Sequence, residues 1–253
     1  MLTKNEIKHI RSLHQARGRK DTGLFIAEGP KVIGELTEAL VCRLLLCTDE
    51  YYPLFVGRPD LEVRQVTPSE LERVSLQKTP QGCLGLFEIP PPEPPTETEL
   101  RQNLVLALDG VQDPGNLGSI IRTALWYGIR HIVCSTDTVD TFSPKVVQAT
   151  MGALARIKIT RTDLPEFLRT VPQSVPIYGT FLDGHNIYDE KLGSCGIIVM
   201  GNEGNGISGS ISPLVTHRLL IPPYPRTTER QIESLNVALA TAIVCDNFRR
   251  KQS

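Results

Sequence analysis

The chain has 253 residues, 40% hydrophobic and 22% charged, with a formal net charge of -1 at neutral pH. That leaves room for one large domain or two modest ones with real cores, and it excludes a disordered or fibrous chain. The balanced charge also excludes a protein that attracts polyanions by its bulk field, so any nucleic acid must be held by local basic patches.

The opening segment carries Lys4, Lys8, Arg11, Arg17, Arg19 and Lys20 against a single Glu6. Ile7, Ile10, Leu13 and His14 fall at helical spacing, which predicts a basic amphipathic helix from Lys4 to Lys20. The segment lacks the apolar core of a signal peptide, and no run approaches the length needed to span a bilayer. A short apolar run (Leu24 to Ala27), a Glu28-Gly29-Pro30 turn and a helical pattern through Val32, Ile33, Leu36 and Leu40 follow. Strands are predicted over 43–47, 61–66 and 82–89, and their alternation with helices gives a small α/β module. The stretch IPPPEPPTETE, Ile89 to Glu99, has prolines that exclude helix and sheet interior, so it is read as a linker. The expected division is therefore 1–88, linker 89–99, and 100–253.

Beyond the linker, strands are predicted over 103–108, 131–135, 177–182, 196–200 and 218–221. Helices are predicted over 117–127, 146–154 and 234–250, the last burying Leu235, Leu239, Ala242, Ile243 and Phe248. Runs such as Ile197-Ile198-Val199-Met200 suit strands covered on both faces, so the class is α/β with a parallel sheet and ligands at loops after strand C-termini. Cys42, Cys47, Cys83, Cys134, Cys195 and Cys245 are scattered with no C-x-x-C pair. They predict neither a metal site nor a redox pair, but buried free thiols in a reducing, cytoplasmic setting.

Three segments after strands carry chemistry. In the first, Asp109 to Gly128, a turn rich in Asp, Pro and Gly leads to a helix starting at Asn116, a residue that N-capping alone would explain. Arg122 sits among Ile120, Ile121, Ala124 and Leu125. It either has a specific partner or lies over the helix with its head in water, and this segment alone does not choose. In the second, a buried strand runs into Gly201, Asn202, Glu203, Gly204 and Gly206. The spacing is neither a dinucleotide fingerprint nor a phosphate loop, and the acid suits a ligand with positive charge or hydroxyl donors. In the third, a strand ends at Pro222-Pro223 and a polar loop leads to Ser234, a natural N-cap, with Leu235 and Asn236 following.

Together these segments resemble the three motifs of the SpoU (TrmH) family of RNA ribose methyltransferases in the SPOUT superfamily. The matching residues are NLGSIIRTA at Asn116 to Ala124, VMGNEGNG at Val199 to Gly206, and IPP…ESLNVALA at Ile221 to Ala240. FIAEGPKVI, Phe25 to Ile33, resembles the family's L30-like substrate-binding domain. The resemblance implies a deep trefoil knot in the C-terminal domain, a homodimer with its active site at the subunit interface, and S-adenosylmethionine as cofactor. By motif position the cofactor contacts would be Thr180, Phe181, Gly201, Asn202, Gly204, Ile221 and Leu235. The resemblance makes Arg122 the central residue, proposed as general base aided by an RNA phosphate. A guanidinium gives up its proton reluctantly, so clamping phosphate and stabilising the alkoxide is the role expected here. Asn116, Glu203, Ser234 and Asn236 would orient Arg122, cofactor and ribose.

Ribosomal RNA is expected as substrate ahead of transfer RNA, with Arg11, Arg17, Arg19 and Lys20 on its phosphates. The loop before Ser234 is longer than the compact family form, and its Arg226 and Arg230 are either further RNA contacts or solvated. Two other readings stand beside this one: a non-catalytic RNA-binding assembly factor of the same fold, and a dinucleotide-dependent oxidoreductase, which lacks a fingerprint after its first strand.

Overall fold

The computed structural model of the chain describes residues 1–224 and 234–250. Arg226, Arg230, Glu233 and Lys251 lie outside the described residues. The described chain forms two compact units, one made of 1–91 with 140–156 and the other of 92–139 with 157–253.

The first unit begins with two helices where one was expected, α1 (Lys4–Ser12) and α2 (Ala16–Thr22). The break has a physical cause. The Arg19 guanidinium turns inward, donating from Nη1 to the Leu13 carbonyl at 2.7 Å and from Nε to Asp140 at 2.9 Å. There follow β1 (Leu24–Glu28), α3 (Pro30–Leu36), β2 (Cys42–Cys47), α4 (Tyr52–Phe55), β3 (Val63–Gln65), α5 (Pro68–Glu72) and β4 (Cys83–Glu88). The sheet order is β1-β4-β2-β3, with β4 antiparallel to both neighbours and β2 parallel to β3. Strand alternation places Ile26 on one face, in a core with Ile7, Ile10, Leu13, Leu71 and Val74. Phe25 faces the other way and meets the rings of Phe87 and Phe142 at 5.7 and 5.0 Å.

That second aromatic contact explains why 140–156, expected inside the C-terminal domain, groups with this unit. The segment is anchored by Phe142 on Phe25 and by the Asp140–Arg19 pair. Its helix α8 (Pro144–Thr150) is shorter than predicted, because Met151 adopts a left-handed conformation and ends it.

The second unit opens with α6 (Glu97–Gln102), which takes the last residues of the expected linker. Thr96 and Glu99 form a capping box there, enough to start a helix despite the prolines before it. Next come β5 (Leu104–Leu108), α7 (Pro114–Trp126), β6 (His131–Cys134), β7 (Lys158–Arg161), α9 (Leu164–Thr170), β8 (Ile177–Asn186), β9 (Gly196–Met200), β10 (His217–Leu220) and α10 (Val237–Arg250). The six strands are all parallel, in the order β10-β8-β9-β5-β6-β7. One face packs Val105, Ala107, Val133, Ile177, Ile197 and Val199 with Leu100 of α6 and Leu164 and Leu168 of α9. On the opposite face Tyr178 meets Phe248 of α10 edge-on at 4.8 Å. Cover on both faces is what the unbroken apolar runs of β5 and β9 require.

Helix α10 buries Phe248 as expected but otherwise turns a different face inward. Val237, Ala238, Thr241, Val244, Cys245 and Phe248 are buried, whereas Leu235 and Leu239 are 49% and 61% exposed. All six cysteines are free, five of them buried and Cys195 partly so. No helix among the described residues is long and apolar enough to cross a membrane.

Candidate active site

The loops after β5, β6 and β9 meet at the C-terminal edge of the sheet, where side chains tie them together. The Ser208 amide donates to the buried Asp109 carboxylate at 2.6 Å, and the Gly110 amide donates to Ser135 Oγ at 2.8 Å. Asn202 anchors the glycine loop. Its Nδ2 donates to the Gly110 carbonyl at 2.7 Å, while its Oδ1 accepts from the Gly204 and Asn205 amides at 2.9 and 3.0 Å. Gly201 has no alternative residue, since a Cβ there would fall 2.2 Å from the Gly206 carbonyl carbon. Asn202 therefore shapes this loop from within.

Helix α7 starts two residues earlier than predicted, and its cap is Asp113, whose Oδ1 accepts from the Asn116 amide nitrogen at 2.8 Å. Capping by Asp113 leaves the Asn116 side chain for other work. Its Nδ2 donates to Glu203 Oε1 at 2.9 Å, and its Oδ1 accepts from Asn236 Nδ2 at 2.9 Å. Asn236 is itself the residue that caps α10, with Oδ1 accepting from the Ala238 and Leu239 amides. Ser234 lies exposed before it and is not the cap.

These bonds fix the direction of the whole chain of groups. The α10 amides can only donate, so they hold Asn236 Oδ1 toward the helix. Asn236 must then donate to Asn116, and Asn116 to the acceptor Glu203. No described residue bonds Glu203 Oε2. Three of the five expected catalytic residues, one from each motif, are thus joined.

Arg122 is not part of this chain. It lies six residues beyond Asn116, about 9 Å further along α7, and is exposed with no hydrogen-bond or ionic partner among the described residues. It lines a groove of about 410 Å³ with Ser119, Thr123, Trp126, Tyr127 and Ala242. Trp126, which the sequence reading did not single out, is 83% exposed there.

The expected cofactor contacts follow from strand order. Thr180 and Phe181 lie in β8 just past its pairing with β9, Gly201 follows β9 and Ile221 follows β10; the three strands are neighbours, so these positions share one sheet edge. Leu235 lies exposed just before α10. The residues from Gly201 to Gly206 include one carboxylate and no cation, and Gly206 leaves open space where a Cβ would be. Such a set fits a cationic ligand with hydroxyl donors and not a polyphosphate. Among the described residues no group of His, Cys, Asp and Glu could hold a metal ion.

The expected RNA-contact residues divide. Arg11, Arg17 and Lys20 are exposed. Arg17 lies 3.6 Å from Asp21, and Arg11 Nε donates to the Arg73 carbonyl at 2.7 Å. Arg19 is only 4% exposed and committed to Leu13 and Asp140, so it is a structural residue and not a phosphate contact.

Comparison with known proteins identifies the family. Residues 103–246 match the SpoU rRNA Methylase family, and residues 4–85 match the MRM3-like substrate binding domain. The 23S rRNA (guanosine(2553)-2'-O)-methyltransferase RlmP of Bacillus subtilis is 30% identical over 247 residues, 96% of each chain. A TrmH-family structure from Porphyromonas gingivalis is 43% identical with a TM-score of 0.89, covering 99% of both chains. The AdoMet-bound rRNA methyltransferase from Sinorhizobium meliloti is 30% identical with a TM-score of 0.85, covering 100% of this chain and 97% of that one. On its motifs, its fold and these matches, the chain belongs to the SpoU rRNA methylase family.

Proposed function

We infer that the protein transfers a methyl group from S-adenosylmethionine to a ribose 2′-hydroxyl of structured RNA, with ribosomal RNA as the substrate. The observation that carries this reading is the bonded series Glu203–Asn116–Asn236, which draws residues 87 and 120 positions apart to one edge of the sheet. The names and cofactor of the similar proteins support both the RNA class and the donor.

S-adenosylmethionine supplies, when bound, an electrophilic methyl group on a sulfonium. The chain's own residues do the rest. Gly201, Gly204, Ile221 and Leu235 offer backbone to the cofactor, and Asn202 holds the glycine loop in shape. Glu203, aimed by Asn116, presents its second oxygen to a hydroxyl or cationic group. Arg122 engages the RNA phosphate and stabilises the negative charge that develops on the ribose oxygen as it takes the methyl group and its proton passes to water. Ser234 is close in sequence to Asn236 and is assigned to the same orienting group.

The same reading includes a homodimer. Trp126, Leu239 and the groove around Arg122 form an exposed, partly apolar face on α7 and α10, which suits a second copy. Arg122 would then act at the subunit interface. The knot implied by the family resemblance belongs to this proposal, supported by the all-parallel sheet and by family membership.

Arg122→Ala tests the assignment. Transfer of labelled methyl to RNA should fall by at least about 100-fold, while calorimetry finds cofactor affinity within about twofold of wild type. Undiminished transfer would remove Arg122 from the mechanism.

A further inference from the structure

Strand β8 leaves its ladder where the cofactor positions begin. Gly179 pairs with Val199 on β9 and lies opposite Arg218 on β10, yet the next residue of β10, Leu219, lies opposite His185. Thr180 to Gly184 therefore have no partner on β10 and form a bulged stretch of β8 at the edge of the site. Gly184 closes it against β10, where a Cβ would fall 2.5 Å from the Leu219 carbonyl carbon.

An excursion of this kind needs something to hold it, and one side chain contacts it at two residues while being anchored at a third outside it. The Arg218 guanidinium carbon lies 3.5 Å from the centre of the Phe181 ring. Its Nη2 donates to Asp183 Oδ1 at 2.7 Å, and its Nη1 donates to Ser212 Oγ at 3.1 Å. The ring is also fixed from its edge, since a Cβ on Gly179 would come 2.8 Å from Phe181 Cε2. The planar fork of an arginine can stack and donate in two directions at once; a lysine cannot. Thr180 directly follows the last β8 residue paired with β9, and the glycine loop begins just beyond that pairing.

We propose that Arg218 is a positioning residue for cofactor binding: it clamps Phe181 and Asp183 so that the Thr180–Gly184 bulge forms one wall of the S-adenosylmethionine site. This rests on the reading that the cofactor lies at the C-terminal ends of β8, β9 and β10. Arg218 acts through Phe181 and Asp183 and takes no part in methyl transfer. The neighbouring guanidinium also holds the Asp183 carboxyl below its ordinary range, consistent with a formed ion pair.

The test uses the full-length protein with S-adenosylmethionine as probe. Arg218→Ala should weaken cofactor binding in calorimetry by about five- to tenfold. The KM for cofactor should rise by the same factor, with kcat at saturating cofactor and RNA affinity unchanged. Arg218→Lys, which keeps the charge but loses the stack and one donor, should fall between the two. Should Arg218→Ala not fold, Asp183→Asn removes one arm of the clamp and should still raise the cofactor Kd about twofold to threefold. A well-folded Arg218→Ala protein that binds cofactor like wild type overturns the proposal, as does a loss confined to RNA binding or to kcat. Failure of the wild type itself to bind the cofactor would overturn the site reading, and this proposal with it.

Discussion

Arg19 is 4% exposed, and its guanidinium donates to the Asp140 carboxylate and to the Leu13 carbonyl. It was grouped with Arg17 and Lys20 because all three are basic and adjacent, yet its guanidinium is sealed inside the first unit. Removing it leaves the Leu13 carbonyl without a side-chain donor and Asp140 with only the Phe142 amide among the described residues. Arg19→Ala should therefore cost about 3 kcal/mol of stability in urea unfolding and leave the salt dependence of RNA binding unchanged. A flattened salt slope with unchanged stability would restore it as a phosphate contact. The sequence carried the identity of Asn116, Glu203 and Asn236, because the motifs name them, but not their hydrogen bonds. Those depend on which neighbour caps each helix. Asp113 before Pro114 is a readable helix start, and recognising it would have freed Asn116 from a capping role at once. Little in the sequence marks Arg218, because the Phe181 ring and the Asp183 carboxylate that it clamps lie more than thirty residues earlier.

At the scale of elements, helix starts carry a pH dependence. Thr3–Glu6, Thr67–Glu70 and Thr96–Glu99 are all capping boxes. Glu6 and Glu99 are each held down to about 2, first by the backbone amide of the capping threonine and then by side-chain partners. A carboxyl whose folded value lies below its unfolded value stabilises the fold above the unfolded pKa, and that contribution is lost as pH falls toward the folded one. Stability should thus decline between about pH 4.5 and 2, and Glu99→Gln should reduce the decline. Parallel stability curves for wild type and variant would contradict this. The strongly periodic elements were legible in the sequence: β9 spans the predicted residues, β5 and β6 are each one residue shorter at one end, and β10 is shifted by one residue. Short helices such as α4, α5 and α6, and strand β7, offered too few residues for a periodic signal, though the Thr-x-x-Glu pattern marked two of them.

For the whole molecule, the exposed face of α10 is the informative discrepancy. The apolar pattern in the sequence predicts Leu235, Leu239, Ala242, Ile243 and Phe248 as the buried residues of this helix, and of these only Phe248 is buried, because a pattern cannot say whether its cover comes from the same chain. Within one chain this face is open, and Trp126 stands beside the same groove. Leu239→Arg should shift the protein from dimer to monomer in sedimentation and reduce methyl transfer in step; a wild-type protein that sediments as a monomer at micromolar concentration would contradict the dimer. The docking of 140–156 on the first unit was likewise illegible, since it depends on Phe142 finding Phe25 more than a hundred residues earlier. A knot leaves no trace in periodicity at all, because it is a property of the path and not of any segment.

The most direct test of the account is to incubate the purified protein with methyl-labelled S-adenosylmethionine and unmodified ribosomal RNA, digest the product to nucleosides, and identify which atom carries the label. A label on a ribose 2′-oxygen, absent with Arg122→Ala, is the predicted result. A label on a base, or cofactor binding with no transfer to any RNA offered, would contradict it.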